Sequence, residues 1–288
     1  NTSDASDIYP VGTTSVVWTV TDIYGNVNTC TQTITITDDE DPSITCPGDQ
    51  DVSADANCEF TMADYTAMAV TADNCTALPV VTQSPLAGTI VAGTTVVTLT
   101  STDDAGNTNS CTFTVIVTDN TDPVITVCPS DVTEQVNANC EFALSDYTTL
   151  ATATDNCDTD VSFTQSPVAG TIISGNATVQ TVTITATDDN GNFTTCSFDV
   201  TLEDSIDPTI TCPADVAQGV DLGVCEAAVT IAAPITDDNC SVASVINDYN
   251  SSSDASDVYP VGTTTVVWTV TDINGNTATC TQTIVISD

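Results

Sequence analysis

Lysine, arginine and histidine are absent from this 288-residue chain, which carries 40 aspartates and glutamates and a formal net charge of −40. An ordinary chain of this length would hold roughly 30 or more Lys and Arg, since about a quarter of residues are normally charged and both signs are represented. No side-chain salt bridge can form, so the counter-charge must come from solvent ions. Nucleic acid is excluded as a partner, because affinity for a phosphate backbone comes from Lys and Arg displacing condensed counterions. Electrostatic docking on anionic lipid fails for the same reason. A serine or cysteine nucleophile would lack its usual base, and an oxyanion would lack a cation. Carboxylate pairs of the glycosidase kind stay formally open, but the same acids recur in every repeat, as solvated turn and linker residues do. No enzymatic activity is expected. Trypsin-type cleavage sites are also absent, which suits a long exposed chain.

Long apolar runs are missing too. None approaches the roughly 18 residues of a membrane span, and the N-terminus lacks the basic start and apolar core of a signal peptide. Direct membrane insertion is not expected. The chain begins in mid-pattern and reads as a window on something longer. What is present is a folding composition: hydrophobic residues make up 41% and alternate with Thr, unlike a disordered polyanion. Thirteen cysteines occur without any histidine or CxxC pair, which favours disulfides over zinc. Disulfides persist outside the cytosol, so the expected location is extracellular, at the cell surface.

Self-comparison exposes two nested repeats. Residues 3–38, SDASDIYPVGTTSVVWTVTDIYGNVNTCTQTITITD, return as residues 253–288, displaced by 250 positions. A shorter period is marked by DPSITCP at Asp41, DPVITVCP at Asp122 and DPTITCP at Asp207. The implied organisation is the C-terminal part of a first module (1–38) followed by three full modules at 39–119, 120–204 and 205–288. Each full module runs in the order CP, CE, DNC, then GN followed by C and an alternating strand.

Segments such as TTVVTLTSTD and CTFTVIVTD alternate with period two and are rich in β-branched residues, the signature of half-buried strands. No stretch of comparable length has helical periodicity, so the fold class is all-β. Aligned copies place Trp18, Leu99, Ile184 and Trp268 at one position, with Val16, Val97, Val182 and Val266 two residues earlier, which marks the core face. In the last strand Cys111, Phe113, Val115 and Val117 share parity, as do Cys196, Phe198, Val200 and Leu202, so the cysteine faces inward. About seven short strands in some 80 residues predict a two-sheet sandwich of immunoglobulin type. TDIYGN, TDDAGN, TDDNGN and TDINGN would be its last hairpin turns, with Gly supplying the positive φ.

The DPxITCP opening, the central DNC, the PVGTT entry at Pro10–Thr14, TDxxGN and CxFxV together closely resemble the hyalin repeat (HYR) family over essentially the whole chain. The resemblance implies tandem immunoglobulin-like β-sandwiches in an elongated array, used in extracellular adhesion and matrix proteins. Four-cysteine versions resemble giant bacterial surface proteins, including gliding-motility adhesins of the Bacteroidetes. One departure is Gln32 and Gln282, where the family prefers Phe after the last Cys; another is a shifted spacing around Cys225 and Cys240. Four cysteines per module allow three pairings. The resemblance implies that Cys46 pairs with Cys111, Cys128 with Cys196 and Cys212 with Cys280. The middle bridges would then be Cys58 with Cys75, Cys140 with Cys157 and Cys225 with Cys240, while Cys30 needs a partner upstream.

The junctions TDDEDP, TDNTDP and EDSIDP keep two acids each: Asp38 with Asp41, Asp119 with Asp122, and Asp204 with Asp207. In an immunoglobulin-like module the first strand starts at the same end as the last hairpin turn. Asp103 and Asp104 are therefore expected near the first junction, Asp188 and Asp189 near the second, and Asp272 near the third. Clustered Asp oxygens suit Ca²⁺, a hard cation that takes six to eight oxygens, so Ca²⁺ is the expected ligand at the inter-module junctions. Asp73, Asp155 and Asp238 of the DNC motifs are weaker candidates, because the implied middle bridges draw DNC toward the opposite end. The expected partners are neighbouring modules of the same long chain, with sugars or solid surfaces as a further class. Tyr9, Tyr24 and Tyr259 are the few candidates for an aromatic sugar platform.

Overall fold

The computed structural model describes residues 4–288, and the chain divides into two compact units, 1–121 and 122–288. Runs of Thr and Val that alternate in polarity become strands, because β-branched side chains fit a pleated surface with one buried face. The helical elements among the described residues are two short 3-10 turns, Thr66–Met68 and Thr148–Leu150.

One sheet plan recurs. In the first unit Thr94–Thr102 and Thr108–Thr118 make a long antiparallel hairpin. Val80–Ser84 joins one side antiparallel, and Gln50–Ser53 joins the other side parallel. Two short pairs form the second layer: Ser43–Thr45 with Val70–Ala72, and Phe60–Thr61 with Ile90–Val91. The second unit holds the plan twice. Its long hairpins are Val179–Thr187 with Phe193–Glu203, and Gly262–Asp272 with Thr277–Ser287. Val132–Gln135 and Val216–Gly219 are the parallel additions. Each complete module is thus an immunoglobulin-like β-sandwich. The first unit also carries the lone hairpin Gly12–Thr21 with Val27–Ile36.

Each sandwich has its own core. Val97, Leu99 and Val115 are fully buried in the first unit, as are Val182, Ile184 and Val200, and then Val266, Trp268 and Ile284, in the second. Two ways of filling the core appear. Phe113 meets Tyr65 edge-on at 5.2 Å, and Phe198 meets Tyr147 at 5.0 Å. Where Trp268 replaces Leu99, Gln282 stands in place of Phe113. Gln282 Oε1 accepts the buried indole N–H at 3.3 Å, while its Nε2 donates to the Ala214 carbonyl at 2.8 Å. The departure from Phe therefore satisfies the polar end of a larger ring, which a buried Trp requires.

The two ends of a sandwich are chemically distinct. At one end the TDxxGN turn folds on itself: Asp103 N–H donates to the Asn107 carbonyl at 3.1 Å, and Gly106 takes a φ of +98°. The following strand, Thr108–Thr118, runs 11 residues to the other end, roughly 35 Å away at about 3.3 Å per residue. There Ala54 N–H donates to the Thr118 carbonyl, and the CE turn closes through Asp55 N–H to the Glu59 carbonyl at 2.7 Å.

Candidate metal centre and cysteine pairs

The separation of the ends governs the cysteines. The first and last cysteine of each complete module are bonded: Cys46–Cys111, Cys128–Cys196 and Cys212–Cys280. The middle cysteines pair differently from the implied bridges. Cys140 bonds Cys240, 100 residues on and in the next sandwich, while Cys75 and Cys225 are free thiols, as is Cys30. Cys58 and Cys157 are both disulfide-bonded.

The reason is geometric. CE follows the strand that lies parallel to the last strand, so its turn sits at the exit end; Val136 N–H donates to the Glu203 carbonyl at 3.0 Å. DNC sits beside the TDxxGN turn: Asp104 N–H donates to Thr76 Oγ1, Asp189 N–H to Asp158, and Ile273 N–H to the Ser241 carbonyl. CE and DNC cysteines of one module therefore stand at opposite ends, whereas a disulfide needs Cα atoms within about 7 Å. The bridges Cys58–Cys75, Cys140–Cys157 and Cys225–Cys240 cannot close. Cys140 is held at a φ of +59° by its turn, a conformation uncommon outside glycine, and joins the DNC loop of the sandwich that follows.

With DNC beside the turn, its Asp enters the junction. Carboxylate oxygens of Asp38, Asp73 and Asp103 lie within 4.8 Å of one another, as do those of Asp204, Asp238 and Asp272. Asp103, Asp204 and Asp272 are buried, at 6%, 2% and 2% exposure. The weaker candidates Asp73 and Asp238 thus complete the groups. Asp41, Asp104 and Asp207 stand exposed and lie outside both. In the remaining junction, Asp119 is buried in the first unit and accepts the Thr121 N–H. In the second unit Asp188 is buried and bonds Asn192, while Asp122 and Asp189 are exposed.

Local hydrogen bonds hold the groups. Asp103 accepts from Gly106 N–H at 2.6 Å, Asn107 N–H at 2.7 Å and Asn107 Nδ2 at 2.7 Å. Burial pushes its carboxyl up, but the Asn107 bonds and backbone amides outweigh this and hold it below the ordinary aspartate value. Asn107 Nδ2 also donates to the Asp38 carbonyl at 3.0 Å, and Asn276 Nδ2 to that of Asp204 at 3.1 Å. Asp238 Oδ2 accepts Cys240 and Ser241 N–H at 2.9 and 2.8 Å. Buried oxygens remain without a hydrogen-bond partner: Asp73 Oδ1, and Asp204 Oδ2, Asp238 Oδ1 and Asn239 Oδ1. A carboxylate oxygen hidden from water and unpaired costs several kcal/mol unless a cation meets it, and this chain has no cationic side chain. The donor set, all hard oxygen, fits Ca²⁺.

The aromatic candidates separate. Tyr259 is fully buried, donates to the Ala255 carbonyl at 2.6 Å and stacks on Tyr249 at 4.4 Å. Burial first, and Tyr249 second, push its phenol up to about 12. Tyr9 is half-buried and donates to the Ala5 carbonyl, leaving Tyr24, 85% exposed. The three form no platform.

Residues 37–117 and 203–286 match the HYR domain family. The chain is similar to hyalin of Lytechinus variegatus, 32% identical over 94% of the chain and 52% of that protein. Hyalin of Strongylocentrotus purpuratus is 30% identical over 99% of the chain and 24% of that protein. The chain thus spans about half, or less, of the curated relatives it matches. A solved titin segment of three immunoglobulin domains is 9% identical, covering 86% of this chain and 99% of that one, with a TM-score of 0.38.

Proposed function

Since the chain belongs to the HYR domain family, we propose that it is a non-enzymatic structural segment of a larger extracellular adhesion protein, with Ca²⁺ joining successive modules. The observation that carries the cation is the convergence of three carboxylates at a junction, with buried oxygens left unpaired. Asp204 comes from the linker, while Asp238 and Asp272 belong to the sandwich that follows. Asp38, Asp73 and Asp103 repeat the arrangement. A bound cation would neutralise the group and fix the linker against the module, supplying the stiffness that a tandem stalk needs. Disulfides agree with an oxidising, extracellular setting. A bacterial gliding-motility role finds no support among the matched relatives, which are animal hyalins. Sugar binding loses its platform with the burial of Tyr259.

The test is calorimetric titration of the chelator-treated chain with Ca²⁺ and Mg²⁺, alongside melting curves. Saturating Ca²⁺ should raise the melting temperature, corresponding to about 2.7 kcal/mol at a hundredfold excess over Kd. Asp204→Asn and Asp238→Asn should each weaken uptake. Identical melting with Ca²⁺ and chelator, and no binding heat, would sink the cation reading and leave the family assignment intact.

A further inference from the structure

Two free cysteines have bonded counterparts elsewhere in the chain. Cys140, of the CE type at a module's exit end, bonds Cys240, of the DNC type at the next module's entry end. The other bonded middle cysteines are Cys58, of CE type, and Cys157, of DNC type. Left free and exposed are one of each: Cys75 of DNC type and Cys225 of CE type. The chain therefore presents one unfilled half-site at the entry side of its first complete sandwich and the complementary half at the exit side of its last.

Spacing supplies a second, independent observation. Residues 3–38 recur at 253–288, a displacement of 250. Carried forward by that period, Cys75 falls 100 positions after Cys225, the same separation as Cys140 and Cys240.

The surroundings match as well. At the formed link Asn239 Nδ2 donates to the Asn137 carbonyl of the CE turn at 3.2 Å, beside the sulfurs. Asn74 holds the position of Asn239, and Asp221 that of Asn137. The Cys225 turn closes through Asp221 N–H to the Glu226 carbonyl at 2.9 Å. It is one residue longer than the Cys140 turn, and Gly223 takes the positive φ of +82°. The longer turn exposes Leu222 and Val224 beside the thiol, an apolar flank that docking would cover.

We propose that Cys75 and Cys225 are the two halves of an inter-module disulfide, each taking the complementary loop of another HYR module, so that covalent links continue from module to module. Bond formation removes two thiol protons and two electrons. A small-molecule disulfide such as oxidised glutathione accepts both and leaves as two thiols.

The partner module can lie in the same chain or in another copy, and two arms separate these sources. In the first, the 288-residue chain carrying Cys30→Ser is oxidised in a glutathione buffer containing chelator, which keeps the outcome independent of calcium. The expected result is a ladder of head-to-tail covalent oligomers on non-reducing gels. Adding Cys75→Ser or Cys225→Ser leaves monomers, and mixing those two variants gives a heterodimer and nothing larger. In the second arm, residues 1–250 are joined ahead of residues 1–288, and peptide mapping should recover Cys225 bonded to Cys75 of the following repeat. Success in the first arm alone assigns the partner to another copy; success in the second alone assigns it to the same chain. Symmetric Cys225–Cys225 bonds, or free thiols in both arms while Cys140–Cys240 forms, overturn the proposal.

Discussion

Residues 3–38 and 253–288 are near-copies that the structure treats in opposite ways. Trp268 is fully buried, with Val270 beside it and Cys280 bonded to Cys212. Their counterparts are a half-buried Trp18, a Val20 that is 67% exposed and a free Cys30. The backbone pairing is nonetheless the same, with Trp18 opposite Cys30 and Trp268 opposite Cys280. The turns also match: Asp22 Oδ1 and Asp272 Oδ1 each accept the Asn N–H four residues on at 2.8 Å. Hairpin and turn are local properties of the sequence. Burial comes from Val216, Ala227 and Val229, which pack on the second copy.

The largest test of that division is Trp268→Ala against Trp18→Ala. Removing the buried ring should cost about 3–5 kcal/mol, with a further loss because Gln282 keeps a buried, unpartnered oxygen. The same change at Trp18 should shift melting by much less, and equal losses measured by denaturant unfolding would show that the first copy is also packed.

Next comes Cys212→Ser. Its bond closes a 68-residue separation, worth about 4 kcal/mol in the chain-entropy model. Cys30→Ser should leave the melting temperature unchanged, so differential scanning calorimetry of the two variants reads the contrast directly.

The smallest expected effect is at Asp22. The Asn26 side-chain amide, then the backbone amides, hold its carboxyl below the ordinary aspartate value. A depressed folded value means that its contribution is present above the unfolded value, near 3.9, and fades as pH falls through the folded one. NMR titration should place the Asp22 midpoint below that of Asp22 in an unfolded peptide, and Asn26→Ala should move it upward. A midpoint equal in the two would mean that the turn is not formed locally.

How much was legible follows the same line. Strand alternation, turn glycines and core positions such as Leu99 and Ile184 depend on neighbours in sequence or on parity, and could be read directly. The middle cysteines could not, because their pairing depends on which end of a sandwich each loop occupies. The misplaced bridges then displaced Asp73 and Asp238 from the junctions in the sequence reading. One signal was available. CE follows a short strand that lies parallel to the last strand, which carries its turn to the end opposite the TDxxGN hairpin. Asp41 and Asp207, each before a proline, and Asp104, in the hairpin turn, stand exposed and outside the carboxylate groups, a difference of burial that motif recurrence does not encode.

The Cys140–Cys240 bond gives the second unit an unusual topology. Everything between those cysteines, linker included, lies inside a covalent ring. A single backbone cut anywhere in that ring leaves the flanking segments joined through sulfur. Under tension the load crosses at the two sulfur atoms, so the enclosed sandwich halves and the acidic linker are shielded from stretching and the chain cannot lengthen by unravelling them.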